Sequence, residues 1–283
     1  MSDKQIVEEL DLSDADIIEL IKNHGIGRRT VMKVLGAGTA LSLGAGSAAA
    51  KHDNPHPPHI DSHYGYSTPD ADDIPKRLEP DHEVELHIHP PDPSEQRPPV
   101  FHFEPTGLAV DRGDIVQFTS ISPDHTVTPY HQAHGFQHRV PDGVPPFSSP
   151  IVNTGGAWLY QFDVEGLYDM YCGPHHLLGM VMRIVVGELG EDDIPDYEDT
   201  FEDDPGPPPL LAPFSKETID EDLRWFTAFI DGDNVDCEWI FLTPKEILDT
   251  DALNPDKIQE DGEVPFVVVL DDIDRANVKL DHG

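Results

Sequence analysis

The chain has 283 residues, enough for two modest domains, and sets 55 Asp and Glu against 18 Lys and Arg, a formal net charge of -37 at pH 7. The acidic residues run through the whole sequence, so its surface repels a phosphate backbone and nucleic acid is excluded as a partner. Such acidity in a chain that keeps apolar strands points to a halophilic source, where screening shortens the reach of self-repulsion; an acidic secreted protein is the alternative.

Residues 1–26 form a long leader with Ile6, Leu10, Ile17, Ile18 and Ile21 loosely at helical spacing. Gly27-Arg28-Arg29-Thr30-Val31-Met32-Lys33 follows, then a weakly apolar stretch over 34–46 and the small-residue run Ser47-Ala48-Ala49-Ala50. This is the pattern of a twin-arginine signal, and residues 1–50 are assigned to it. The apolar stretch falls short of the roughly 20 residues a spanning helix needs, which favours a cleaved leader over a retained anchor. The expected destination is extracellular, or the outer face of the cytoplasmic membrane.

Residues 51–81 place His52, His56, His59 and His63 among prolines with little apolar periodicity, and read as a linker. From 82 the pattern changes. Val84, Leu86 and Ile88 alternate with polar residues as in a half-buried strand. Further short apolar runs lie at 101–103, 107–110, 115–118, 158–162, 166–171 and 181–186, broken by Gly, Pro and Asp turns. Such spacing predicts an all-β Greek-key sandwich over 82–187, built from antiparallel strands. Residues 188–214 are acidic and proline-rich and read as a second linker. Over 215–283 the sequence predicts a small α+β extension. Ser215 is placed to cap a helix, Thr243-Pro244-Lys245-Glu246 has capping-box spacing with proline at the first helical position, and 239–242 and 264–270 resemble strands.

The chemistry concentrates in Tyr171-Cys172-Gly173-Pro174-His175-His176-Leu177-Leu178-Gly179-Met180. A thiolate, an imidazole and a thioether at Cys-x2-His-x4-Met spacing supply three of the four ligands of a type 1 copper site, which needs one more histidine. His125, in Asp124-His125-Thr126-Val127, is the candidate. A disulfide between Cys172 and Cys237 is the competing use of the cysteines, but a disulfide sulfur cannot serve as a thiolate ligand. A nucleophilic Cys-His pair is the other rival, and the Met180 spacing speaks against it.

On these residues the segment 82–187 resembles the cupredoxin family, near its plastocyanin, halocyanin and pseudoazurin members. Phe103-Glu104-Pro105 and Arg112-Gly113-Asp114-Ile115-Val116-Gln117-Phe118 are similar to the family's early strands. The resemblance implies one copper ion held by His125, Cys172, His175 and Met180, and a non-enzymatic carrier of single electrons between membrane or soluble redox proteins, with no small-molecule substrate. His175 is chosen over His176 by spacing alone.

Two other histidine groups stand out. His131, His134 and His138 lie in a long insertion and, with the His-rich linker, motivate a copper capture or delivery role as the alternative. His87-Ile88-His89 resembles the His-x-His pairs of multicopper oxidases, but Tyr171 and Gly173 flank the cysteine where those enzymes need histidines. Copper nitrite reductases need a second such domain, and the sequence holds one.

Overall fold

A computed structural model describes residues 59–94, 96–195, 197, several positions between 216 and 224, 238–273 and 280. The twin-arginine region, residues 51–58 of the histidine-rich stretch, Cys237 and residues 198–215 lie outside the described residues.

Two five-stranded sheets face each other. The first runs in the order β1 (Tyr66–Thr68), β7 (Ala157–Gln161), β5 (Ile115–Ser120), β2 (His82–His89), β3 (Val100–Glu104). The second runs β10 (Glu263–Val264), β4 (Gly107–Val110), β9 (Val181–Val186), β8 (Gly166–Tyr171), β6 (Thr128–Pro129). The chain crosses repeatedly between the sheets, and this changes the expected pairing. β2 and β5 run parallel, as do β4 and β9, while the remaining pairs are antiparallel. Strands that return to the same sheet by way of the other sheet can enter it in the same direction, which a two-residue hairpin cannot achieve.

Alternation places Val84, Leu86, Phe103, Phe118, Trp158, Phe162, Met182 and Ile184 between the sheets. Strand β9 is buried on both faces, because its other side, Val181 and Val185, lies under the C-terminal region with Leu242, Leu253 and Ile258. A strand covered on both sides reads as a continuous apolar run, and Val181-Met182-Arg183-Ile184-Val185-Val186 does so.

Residues 60–81, read from sequence as linker, are structured. β1 pairs with β7 at the edge of the first sheet, Leu78 is buried, and the Trp158 indole N–H donates to the Tyr64 carbonyl at 2.8 Å. Three residues suffice for such an edge strand because the neighbouring strand supplies the template, so no period-2 pattern marks it in the sequence.

The C-terminal extension lies against the second sheet. Thr243 and Glu246 form the capping box of α1 (Pro244–Leu248). The extension continues through α2 (Pro255–Asp261), strand β10 and α3 (Phe266–Asp272). Two strand expectations fail here. Residues 239–242 are irregular, and the run from Phe266 is helical because Phe266, Val269 and Leu270 bury at i, i+3 and i+4. Tertiary packing overrides the β preference of the valines.

Behind the sandwich, Asp169 of β8 is fully buried between two guanidinium groups. Arg139 Nε donates to its Oδ2 at 2.8 Å and Arg183 Nε to its Oδ1 at 2.8 Å. Arg183 Nη1 also donates to the Leu253 carbonyl at 2.9 Å, tying the C-terminal region to β9. Burial pushes the Asp169 carboxyl up, but Arg183 and Arg139 outweigh it and hold the pKa below the ordinary value.

Candidate metal centre

One end of the sandwich gathers three donors. His125 comes from the turn after β5, where Asp124 adopts a left-handed conformation with φ 69°, a conformation Asp tolerates better than most residues. The His125 carbonyl accepts from the Val152 N–H at 2.8 Å, which pins the turn to the segment before β7. Cys172 follows β8 directly, and its N–H donates to the Met180 carbonyl at 2.9 Å, closing the ligand loop. His175 sits inside that loop, with its N–H donating to the Cys172 carbonyl and its carbonyl accepting from Leu178 and Met180.

The ligand atoms of His125, Cys172 and His175 all lie within 4.8 Å of one another. His125 Nδ1 is 3.7 Å and His175 Nδ1 3.5 Å from Cys172 Sγ. His125 and Cys172 are fully buried, whereas His175 is partly exposed. Met180 is buried at the end of the same loop. His176 turns the other way, its Nε2 against the Tyr130 hydroxyl at 2.7 Å.

Neighbours that the sequence did not single out hold these donors. His125 Nε2 meets Ser122 Oγ at 2.9 Å, so with Nδ1 facing the sulfur the ring keeps its proton on Nε2 and its lone pair towards the site. The Thr126 N–H donates to Cys172 Sγ at 3.4 Å, and the Gly173 N–H to Thr126 Oγ1 at 2.7 Å. Phe101 stacks on His175 with centroids 4.3 Å apart. Ser122 and Thr126 flank His125 within three residues, which is the one local signal the sequence offers for them.

Electrostatics fit a cation. Burial lowers the His125 pKa to about 4, with help from His175 and His87, and burial likewise lowers His175. Both imidazoles are therefore neutral and carry a lone pair at pH 7. Burial raises the Cys172 thiol, opposed by the Thr126 N–H, so a deprotonated sulfur here calls for a positive charge beside it. Two neutral imidazoles and one thiolate, with a thioether on the same loop, suit one copper ion rather than hard cations that prefer oxygen ligands.

The other histidines are placed differently. His131 Nδ1 accepts from the Ala133 N–H at 3.1 Å and His134 Nε2 donates to the Phe147 carbonyl at 3.0 Å, so these rings brace the insertion. His131 and His138 lie with centroids 5.1 Å apart, and neither joins the Cys172 group.

A β-sandwich with a buried Cys, two His and a Met at one end has the donor set of the type 1 copper proteins. Residues 95–187 match the family described as copper binding proteins of the plastocyanin/azurin family, which supports a cupredoxin domain over roughly a third of the chain. A protein of Rhizobium leguminosarum bv. viciae named for the pseudoazurins is 36% identical over 86 residues, 30% of this chain and 51% of that protein. The pseudoazurin of Methylorubrum extorquens is 29% identical over 86 residues, covering 30% and 52%. The match thus spans about half the length of these relatives. The crystal structure of pseudoazurin from Methylobacterium extorquens AM1 is similar at 25% identity over 39% of this chain and 79% of that one, with a TM-score of 0.30.

Proposed function

We propose that the protein is an exported, non-enzymatic type 1 copper protein that carries single electrons between redox partners. The observation that carries this reading is the convergence of Cys172 Sγ with His125 and His175 Nδ1 in a buried pocket. Bound there, copper supplies the one-electron couple. The chain supplies a fixed frame: Ser122 orients His125, Thr126 donates to the sulfur, and Phe101 holds the His175 ring. Donors anchored on a rigid sandwich move little when the charge at the site changes, and small reorganisation is what fast electron transfer requires. Met180, buried at the end of the same loop, would be the fourth donor, a weak thioether.

His175 is the most exposed of the four assigned ligands and forms the electron port. Leu177, 46% exposed, offers an apolar contact beside it. Leu178 and Gly179 do not extend that patch, because Leu178 packs into the core and Gly179 lies against Leu242. The acidic surface steers basic partners at low ionic strength and loses that steering in high salt. The arginine pair ahead of the small-residue run supports twin-arginine export to the outer face of the membrane.

Optical and electron paramagnetic resonance spectra of the copper-loaded protein test the reading. One tightly held copper with an intense visible charge-transfer band is expected. Several colourless, exchangeable ions would instead favour copper capture and delivery.

A further inference from the structure

The His-x-His pair of β2 does not stand alone. In the antiparallel register of β2 and β3, His87 lies directly opposite His102, and Glu85 directly opposite Glu104. Residues 85, 87 and 89 alternate with the core residues Val84 and Leu86, so with His102 and Glu104 they share the outer face of the first sheet. His102 is the centre of the group. Its ring centroid is 5.2 Å from that of His87, 4.9 Å from that of His89 and 4.2 Å from that of Phe266.

Two features set this group apart from a solvated polar face. His102 is only 3% exposed, and its Nδ1 is buried with no hydrogen-bond partner among the described residues. A buried orphan nitrogen is costly, and a bound ion or water is one arrangement that satisfies it. In addition, two carboxylates face each other across the strand pair, an arrangement that destabilises a sheet unless positive charge lies nearby.

A carboxylate also orients one of the rings, and a second lies near another. Glu85 Oε2 is 2.6 Å from His87 Nε2, and Glu104 Oε2 is 3.8 Å from His102 Nε2. The proton that Glu85 holds on His87 Nε2 leaves the Nδ1 lone pair of that ring available, the arrangement by which carboxylates orient metal-binding histidines, whereas Glu104 lies beyond hydrogen-bond reach of His102 and adds negative charge beside it. Phe266 covers one side of His102, and its N–H donates to Glu104 Oε2 at 3.0 Å, fixing that carboxylate.

We propose that His87, His89 and His102 form a second metal site, separate from the Cys172 centre, for a divalent ion of the zinc and copper class, with Glu85 bonded to His87 and Glu104 adding negative charge beside His102. Three imidazoles select such ions over calcium or magnesium. The rings lie nearly parallel, at 12° for His87 with His102 and 9° for His89 with His102. Binding therefore needs the partly exposed His87 and His89 to turn about their Cβ–Cγ bonds towards His102, which stays fixed under Phe266. That torsion is broad and readily moved. The site does not depend on the electron-carrier reading, since it shares no ligand with the Cys172 centre.

The test is calorimetric titration of the full chain with Zn2+, after its Cys172 centre has been loaded with one equivalent of copper. The H87Q/H89Q variant is expected to bind one Zn2+ fewer than the parent and to keep its visible band. Glu85→Gln should weaken that equivalent by about 10–100-fold. H131Q/H138Q should leave the count unchanged, which separates this site from the insertion histidines. His102→Ala should lose the same equivalent, with circular dichroism reporting its fold; the two surface substitutions keep the test decisive if it does not fold. A parallel Cu2+ titration that alone shows the loss assigns the site to copper. Identical isotherms for parent and H87Q/H89Q with both ions, or loss of the equivalent only in H131Q/H138Q, overturn the proposal.

Discussion

The Tyr130 hydroxyl meets His176 Nε2 at 2.7 Å, and this bond keeps the second of two adjacent histidines away from the thiol. His176 is buried between Tyr130, Tyr171 and Phe136, so of the two adjacent histidines it is His175 that reaches Cys172. Replacing His175 by Ala should abolish the visible copper band, whereas His176→Gln should retain it. Tyr130→Phe, which removes a hydrogen-bond partner from a buried ring, should cost about 1–3 kcal/mol in urea unfolding. A colourless His176→Gln protein that still folds would reverse the assignment.

Cys172→Ser is expected to lose the charge-transfer band while circular dichroism shows the sandwich intact, since Ser fills nearly the same buried volume. Met180→Leu should keep the band and raise the reduction potential, because a weak thioether donor is removed while the thiolate and imidazoles stay. Absorption and voltammetry on the two variants check both statements. A colourless Met180→Leu protein would give the thioether a larger role than tuning the potential.

Gly179 ties the ligand loop to the C-terminal extension. It has φ +82°, and a Cβ built there would meet Leu242 Cβ at 2.8 Å and the Leu242 carbonyl carbon at 3.0 Å. Gly179→Ala should therefore lose about 1–3 kcal/mol through left-handed backbone strain, with crowding in addition. Leu242→Ala cannot relieve the crowding, because Cβ and the backbone remain. Chemical denaturation of the single and double variants measures this, and an unchanged Gly179→Ala midpoint would mean that the segment around Leu242 is not seated on the loop.

Acid should unfold the protein partly through Asp169. Its folded pKa lies below the ordinary 3.8, because two guanidinium groups outweigh the burial that would raise it. The stability it contributes is thus fully present above the ordinary carboxylate range, and is lost as pH falls through the lower folded value. Asp169→Asn should remove that acid dependence and cost about 3–5 kcal/mol at neutral pH by leaving Arg139 and Arg183 buried without their counter-charge. Unfolding free energies measured against pH for both proteins check the sign. A parallel loss of stability with acid in the variant would assign the dependence to other carboxylates.

What the sequence disclosed follows from how local each feature is. Cys172, His175 and Met180 fall within nine residues, and Thr243 and Glu246 within four, so spacing alone exposes them. The sandwich was legible from alternation at Val84 and Leu86 and from the turn residues between strands. His102 opposite His87 was not, because cross-strand register is a property of the folded pair. Edge strand β1 was hidden by its length. The valine run after Pro265 misled because its preference is weak beside the burial of Phe266, Val269 and Leu270 under the C-terminal layer.

The Asp169 cluster also bears on how the chain responds to salt. With Asp169 and both guanidinium groups nearly or wholly out of solvent, dissolved ions screen that attraction far less than they screen charges at the surface. The repulsion among the surplus carboxylates of a -37 chain is accessible to ions and weakens as they are added. Attraction inside is held nearly fixed while repulsion outside is adjustable, so added salt acts mainly on the repulsive side of the balance.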